Sequence, residues 1–221
     1  MALLDPAGQR PEHLVPDSAG AWGSLAFSPD WRRLLGSGSG ERSVIWDLDG
    51  EVLPLVLSDG GAHLSAAVFS PYGATVAAGG YDGVLRLWDS STARMQETAA
   101  AHPEGLLATA FSPDGRRLAT AGLDGSVRLW SFTRSSQPLD LVVGPPARGL
   151  AISSAHPWLV TACQDGVVRV FDTRNGEIVH ALPTGSDPVA ALALTPDDRV
   201  VVSAHQDHTV RTWDLERGAL I

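Results

Sequence analysis

The sequence predicts an all-β fold built from copies of one unit, and three observations predict it. The closing aromatics Trp46, Trp88, Trp130, Phe171 and Trp213 are separated by 42, 42, 41 and 42 residues. The opening apolar residues Phe27, Phe69, Phe111, Ile152 and Leu194 keep the same four intervals. Two landmarks that drift together mean that whole units recur, which is the signature of a repeat architecture. Between the landmarks, short apolar runs alternate with turns rich in Pro, Asp and Gly, the pattern of strands rather than helices.

The third copy shows each element in order. Leu106 to Phe111 is an apolar run of strand length. Ser112-Pro113-Asp114-Gly115 breaks it, because Pro presets φ for a turn and Asp and Gly tolerate the conformations that follow. Leu118 to Ala121 makes a second strand. Asp124-Gly125 between apolar runs is a hairpin signal, and Val127 to Trp130 is the third strand. A looser fourth, near 138–142, leads to the next copy. Each unit is thus a four-stranded antiparallel meander that cannot bury both of its faces alone. Stacking the units around an axis covers those faces, which is the β-propeller arrangement.

Bulk composition bounds the rest. Apolar residues make up 44% of the 221, with 23 Gly and 15 Pro, suiting a folded, turn-rich chain rather than a disordered one. A net charge of −9 repels phosphate backbones, and the densest basic pairs, Arg32-Arg33 and Arg116-Arg117, sit in turns and read as solvated charges. The single Cys163 excludes an intrachain disulfide and fits a reducing, cytoplasmic setting. It lies in the apolar run 158–163, where a thiol packs as a small hydrophobe. The first residues lack the basic and apolar regions of a secretion signal, and no apolar run is long enough to span a bilayer.

The string Phe-Ser-Pro-Asp-Gly, then Asp-Gly, then Val-Arg-Leu-Trp closely resembles a WD-repeat β-propeller, and the resemblance extends over residues 21–221. It implies blades at about 21–57, 63–98, 105–142, 146–182 and 188–221, with residues 1–20 as an N-terminal segment. It also implies a structural hydrogen-bond network of a His, a Ser or Thr, the turn Asp and the Trp. The third copy has all four, in His102, Thr120, Asp124 and Trp130. The fourth keeps Thr161 and Asp165 but has Phe171. The fifth keeps Ser203, Asp207 and Trp213, with Gly185 where the His falls, and the second keeps Asp82 and Trp88. In the first, Gly40 replaces the Asp. Networks fix one arrangement only when every member is satisfied, so the third blade is expected to be the most rigid and the first the least.

Three constellations invite a chemical reading and lose it. His102, Thr120 and Asp124 have the residue types of a nucleophile with its base and orienter, but nothing supplies an oxyanion hole. His205, Asp207 and His208 are metal-ligand types, yet strand alternation and the turn point them apart, and His208 stands where other copies have Gly. The glycine-rich run 36–40 lacks the Lys and the helix start of a phosphate loop. No metal, cofactor or catalytic residue is expected. Arg86, Arg128, Arg169 and Arg211, two residues before each closing aromatic, are expected to lay their stems between blades and direct their heads to carboxylates or water.

The family's usual docking face carries the turn before the third strand and the segment leading into the first. By resemblance, that places Tyr81, His63, Leu123, Gln164, Gln206 and Ser39 on a partner-binding face. Propellers of this family usually close with seven blades, and five copies imply a partial, open propeller. Its missing blades would come from the rest of a longer chain or from self-association. Residues 9–15 are a candidate closing outer strand for the last unit. The implied function is a non-catalytic scaffold binding protein or peptide partners, with no nucleic-acid or membrane partner. The alternatives are a regulatory portion of a larger signalling protein, such as a kinase or ATPase, and a propeller enzyme.

Overall fold

The computed structural model describes residues 2–3, 13–14, 22–38, 43–50, 53–57, 63–132, 137–142, 144–185 and 187–221. Two short strands, β1 (Ala2–Leu3) and β2 (His13–Leu14), pair with each other. The remaining strands form five separate four-stranded sheets, each an antiparallel meander in chain order. Blade 1 holds β3 (Trp22–Phe27), β4 (Arg33–Gly38), β5 (Ser43–Asp47) and β6 (Leu55–Leu57). Blade 2 holds β7 (Leu64–Phe69), β8 (Thr75–Gly80), β9 (Val84–Asp89) and β10 (Met95–Ala100). Blade 3 holds β11 (Leu106–Phe111), β12 (Arg117–Gly122), β13 (Ser126–Ser131) and β14 (Leu139–Val142). Blade 4 holds β15 (Ala147–Ile152), β16 (Trp158–Cys163), β17 (Val167–Asp172) and β18 (Ile178–Pro183). Blade 5 holds β19 (Val189–Leu194), β20 (Val200–His205), β21 (Val210–Asp214) and β22 (Ala219–Leu220).

The first strands of successive blades lie side by side, so strand pairing stays within blades and packing runs between them. In every blade the first strand slips one residue against the second near its start, at Trp22/Ser24, Leu64/Ala66, Leu106/Ala108, Ala147/Gly149 and Val189/Ala191. Such a bulge bends the strand and increases its twist, which suits sheets fanned about an axis.

Burial on both faces marks the second strands as the middle of the stack. The positions Leu35 and Val76, Ala77 and Leu118, Ala119 and Leu159, and Val160 and Val201 meet in four successive interblade clusters. At each interface the earlier blade presents mainly Ala, Val and Leu, and the later blade adds the aromatic Trp88, Trp130, Phe171 or Trp213. Small residues against large ones fill the gap without voids.

The five blades form an open arc. The far side of blade 5 leaves Ala191 and Ala193 exposed, Val202 and Ala204 half-buried, and Val210 67% exposed. On the far side of blade 1, Leu25 and Phe27 are 48% and 44% exposed, although Leu34, Val44 and Trp46 cluster out of solvent. The turn residues report the same ending. Gly83, Gly125 and Gly166 have positive φ, and a Cβ on any of them would collide with the carbonyl of His102, Gly144 or Gly185, which leads into the next blade. In blade 5 the equivalent His208 is exposed at φ 65. With no neighbouring segment described there, a side chain is tolerated.

One expectation falls largely outside the described residues, and another meets a different structure. Of residues 9–15, the candidate closing strand, only His13 and Leu14 are described, and they pair with Leu3 and Ala2, while Ala219–Leu220 pairs with the third strand of blade 5. The Asp214 carboxylate accepts the Arg217 N–H and Gly218 adopts φ 61, so a tight turn returns the chain's own residues to the edge. The basic pairs are also not wholly solvated. Arg33 donates to the Ser90 carbonyl at 2.9 Å and the Gly73 carbonyl at 3.0 Å, with its guanidinium 5.4 Å from the Phe69 ring centre. Arg117 donates to the Thr173 carbonyl at 3.3 Å. These two arginines open the second strands of blades 1 and 3 and clamp each to the following blade, while Arg32 and Arg116 stay exposed.

Blades 4 and 5 are joined by a carboxylate instead. One oxygen of Asp198, a residue only 4% exposed, accepts from Ser153 Oγ, Ser154 N, Ser154 Oγ and Ala155 N at 2.5–2.9 Å. Burial opposes the Asp198 charge, but these donors prevail and hold its carboxyl below the usual range.

Candidate interaction faces and the networks that hold them

The turn before the third strand is built the same way in blades 2 to 5. The carboxylates of Asp82, Asp124, Asp165 and Asp207 accept the N–H two residues on, at 3.1, 3.0, 3.2 and 2.9 Å. This Asx turn is why Asp opens the hairpin. Arginines two residues before the closing aromatics reach carboxylates: Arg86 to Asp82 and Arg169 to Asp165 at 2.5 Å, Arg211 to Asp207 at 2.7 Å, and Arg128 to Asp140 at 2.9 Å.

In blade 3, His102 Nε2 lies 2.8 Å from Thr120 Oγ1, and His102 Nδ1 lies 3.2 Å from Asp124 Oδ1. Trp130 Nε1 donates to Thr120 Oγ1 at 3.0 Å. The indole only donates and the carboxylate only accepts. With the imidazole neutral and its proton on Nδ1, Trp130 donates to Thr120, Thr120 to His102 Nε2, and His102 Nδ1 to Asp124. Burial holds the His102 pKa below its ordinary value against the opposite pull of Asp124. For Asp124, burial works against the charge, but the Ser126 hydrogen bonds and nearby His102 leave the carboxyl below its usual range. Gly122 is obligatory here, because a Cβ would run into the His102 ring. Thr120 is 0% exposed, so its hydroxyl is closed to any substrate.

Blade 5 builds a similar chain from a different residue. Trp213 Nε1 donates to Ser203 Oγ at 3.0 Å, and Ser203 Oγ lies 2.8 Å from His205 Nε2. His205 Nδ1 lies 3.2 Å from Thr184 Oγ1, which donates to the Gly166 carbonyl at 2.6 Å. Thr184's proton is thereby committed, so His205 Nδ1 donates and Nε2 accepts. His205 stands at the Gly122 position, and Gly185 stands at that of His102. The ring enters the same space from the strand rather than from the interblade segment. Burial, followed by Arg211, lowers the His205 pKa. Asp207 is left to Thr209 and Arg211, whose hydrogen bonds hold its pKa at about 2. Sequence reasoning missed His205; the signal was a Gly at the His position coupled with a His at the Gly position.

The other blades depart further. In blade 4, Thr161 Oγ1 meets Cys163 Sγ at 3.3 Å, the Phe171 side chain has no N–H to donate, and Asp165 serves Arg169. Cys163 is fully buried, and burial pushes its thiol pKa up. In blade 2, Asp82 serves Arg86, and Trp88 is fully buried with Ala78 at the hydroxyl position. His205, Asp207 and His208 do not converge, and no group of three residues able to hold a metal occurs among the described residues.

The sequence-derived face residues come together at one end of the blades. The N–H groups of Tyr81, Leu123, Gln164 and Gln206 donate to the carbonyls of His63, Gly105, Pro146 and Pro188, at 3.3, 2.9, 3.0 and 3.1 Å. Each turn is therefore tied to the segment leading into its own blade's first strand. Tyr81 is 62% exposed, His63 and Gln206 are exposed, and Leu123 and Gln164 are half-buried. Gly105 carries the surface from Tyr81 to Leu123, since a Cβ there would touch both. Ser39 lies outside the described residues.

The family described as "WD domain, G-beta repeat" matches residues 56–89, 95–131, 143–172 and 176–214. Two of the four stretches start on the outer strand of one blade, a third starts two residues before one, and all four end on the third strand of the following blade, so the sequence repeat straddles neighbouring sheets. The chain is similar to striatin-4 of Homo sapiens, 27% identical over 183 residues, which cover 78% of this chain and 24% of that protein. It is similar to autophagy-related protein 16 of Arabidopsis thaliana, 24% identical over 164 residues, or 72% of this chain and 24% of that protein. An uncharacterized WD repeat-containing protein of Schizosaccharomyces pombe is 35% identical over 60 residues, 27% of this chain and 15% of that protein. The chain thus spans about a quarter or less of the length of these relatives. No helix among the described residues is long and apolar enough to cross a membrane. Family matches over more than half of the chain, on sheets of this topology, make it a member of the WD-repeat family.

Proposed function

We propose that the chain is a non-catalytic interaction scaffold that holds segments of cytoplasmic protein partners against the end carrying Tyr81, His63, Leu123, Gln164 and Gln206. The supporting observation is the row of four backbone hydrogen bonds that fixes these turns beside the first strands. Rigid presentation of exposed side chains lowers the ordering cost of binding. Tyr81 beside Leu123 supplies an aromatic and aliphatic anchor of the kind that dominates interface energetics. The networks beneath this end hold the turns, and the buried Thr120 and Ser203 hydroxyls serve the fold. The test is partner capture by wild type and by Tyr81→Ala with Leu123→Ala. About 30-fold weaker capture at an unchanged melting temperature is expected for a hot-spot pair. An unchanged set of captured partners refutes the reading.

A second reading, a regulatory portion of a larger signalling protein, draws on the relatives' greater length and the bare far side of blade 5. In that case, residues continuous with this segment cover blade 5. Hydrogen exchange of 189–214 would then be slower in the longer protein than in this chain. Equal exchange rules it out.

A further inference from the structure

We propose that Arg148, positioned by Gln164, is a specificity-determining residue of the Tyr81 end and selects a partner segment carrying an Asp or Glu carboxylate beside an apolar side chain. The inference rests on the scaffold reading and deepens it by naming the chemistry of the segment held there. In each blade the bulge near the start of the first strand leaves one residue without a partner on the second strand: Gly23, Ser65, Leu107, Arg148 and Ala190. A bulge re-aims the side chain it carries. The first strands lie side by side, so these residues form a row where the strands begin, next to the turns of Tyr81, Leu123, Gln164 and Gln206. Ser65 is turned inward, its hydroxyl occupied by the carbonyls of Gly79 and Leu106. Leu107 is half-buried and Arg148 exposed, so an apolar and a cationic side chain stand at matching places on neighbouring blades.

Arg148 differs from the third-strand arginines in what it faces. Arg86, Arg128, Arg169 and Arg211 each meet an Asp at 2.5–2.9 Å, which neutralises them. Arg148 meets a neutral group instead. In the amide orientation that satisfies both side chains, Gln164 Oε1 accepts from Arg148 Nε at 3.0 Å and from Nη2 at 3.2 Å. Asp165, next to Gln164, is committed to Arg169, and Arg148 has no carboxylate partner among the described residues. The Gln164 N–H is tied to the Pro146 carbonyl, so the clamp stands on a fixed turn. It engages the Nε side of the guanidinium and leaves the edge between Nη1 and Nη2, which matches the two oxygens of a carboxylate. A long side chain held before binding has less freedom to lose. Surrounding charge sets the valence of the occupant. Glu104 and Asp187 are exposed, each one residue before the carbonyl that anchors Leu123 or Gln206. One arginine among them suits a single negative charge, whereas a phosphate, with nearly two, is taken by clustered arginines. Leu107, Leu123 and Tyr81 supply the apolar surface beside the cation.

The experiment selects a displayed library of random linear peptides on the whole chain, on Arg148→Glu and on Tyr81→Ala with Leu123→Ala, and measures the enriched peptides as synthetic ligands. Wild type is expected to enrich one Asp or Glu at a fixed spacing from an aromatic or aliphatic residue, and Arg148→Glu to enrich Lys or Arg at that same spacing. Changing the acid of an enriched peptide to its amide should weaken binding to wild type about tenfold, the low end for a hydrogen bond to a charged group, and leave binding to Arg148→Gln unchanged. Gln164→Glu keeps the clamp but neutralises Arg148, so it should also abolish the preference for the acid, a loss that mere support of the turn would not produce. No enriched peptide, or an acid-to-amide change that costs Arg148→Gln as much as wild type, overturns the proposal. Tighter binding when phosphoserine replaces the acid overturns the assignment to a carboxylate. Enriched peptides that lack the acid yet need Tyr81 and Leu123 overturn this inference and leave the scaffold reading standing. Peptides indifferent to Tyr81, Leu123 and Arg148 alike overturn both.

Discussion

Three equivalent hydroxyls give the chain an internal control. Thr120, Thr161 and Ser203 occupy the same place on the second strands of blades 3, 4 and 5, and all are 0% exposed. Thr120→Val conserves shape, so cavity costs are small. It removes the acceptor for Trp130 Nε1 and the donor to His102 Nε2. His102 is 1% exposed, so its Nε2 loses its partner in a site that water does not reach. Trp130 is half-buried and recovers part of its loss from water. An orphaned buried polar atom costs about 1–3 kcal/mol, which puts Thr120→Val at about 2–3 kcal/mol. Thr161→Val gives up a 3.3 Å contact with the Cys163 thiol and a 3.4 Å contact with the Arg169 carbonyl, and no indole depends on it. Both are weak, so its cost is below about 1 kcal/mol. In blade 5, Trp213 and His205 are both at most 6% exposed, so Ser203→Ala orphans two shielded groups and costs about 2–5 kcal/mol. Urea denaturation with hydrogen exchange read blade by blade is the assay, because repeat arrays need not unfold in one step. A Thr161→Val cost equal to that of Thr120→Val would refute the account of the network.

Other consequences can be measured directly. Asp198→Ala deletes four hydrogen bonds to a buried carboxylate oxygen and should cost about 3 kcal/mol, seen as faster exchange across 189–221 before the other blades open. His102 and His205 have folded pKa values below 6.5, so between those values and 6.5 the unfolded chain binds more protons. Stability contributed by their neutral forms is full above about pH 7 and declines as pH falls through 6.5. Denaturation at pH 7.5 and 5.5 should show this, and stability that rises toward pH 5.5 would contradict it. Cys163 should react with a thiol reagent only at the rate of local opening, because it is fully buried and burial raises its pKa. We further expect exchange protection to be greatest in blade 3 and least in blade 1; the reverse order would count against the rigidity argument.

Much of the fold was legible because its signals are local. The strand starting at Leu106, the Pro113-Asp114 break, the Asp124 turn and the Trp130 close all lie within one unit, where alternation and turn chemistry act on adjacent residues. The four members of the blade 3 network were named from the resemblance to WD-repeat propellers, whose motif spans only 28 positions here. His205 could not be named so, because its role depends on a vacancy at Gly185 that only packing turns into space for a ring. Arg33 and Arg117 were read as solvated for a related reason. Their partners are carbonyls 40 to 57 residues away, and a carbonyl leaves no mark in the residue code.

By itself, the sequence determined a series of four-stranded meanders and the turns that join their strands. Tertiary structure alone decided which blade faces meet and which carbonyls and carboxylates clamp one blade to the next. Strand formation answers to periodicity over a few residues, whereas these contacts answer to the angle between sheets. That angle emerges only when the small side chains of one blade close against the aromatics of another.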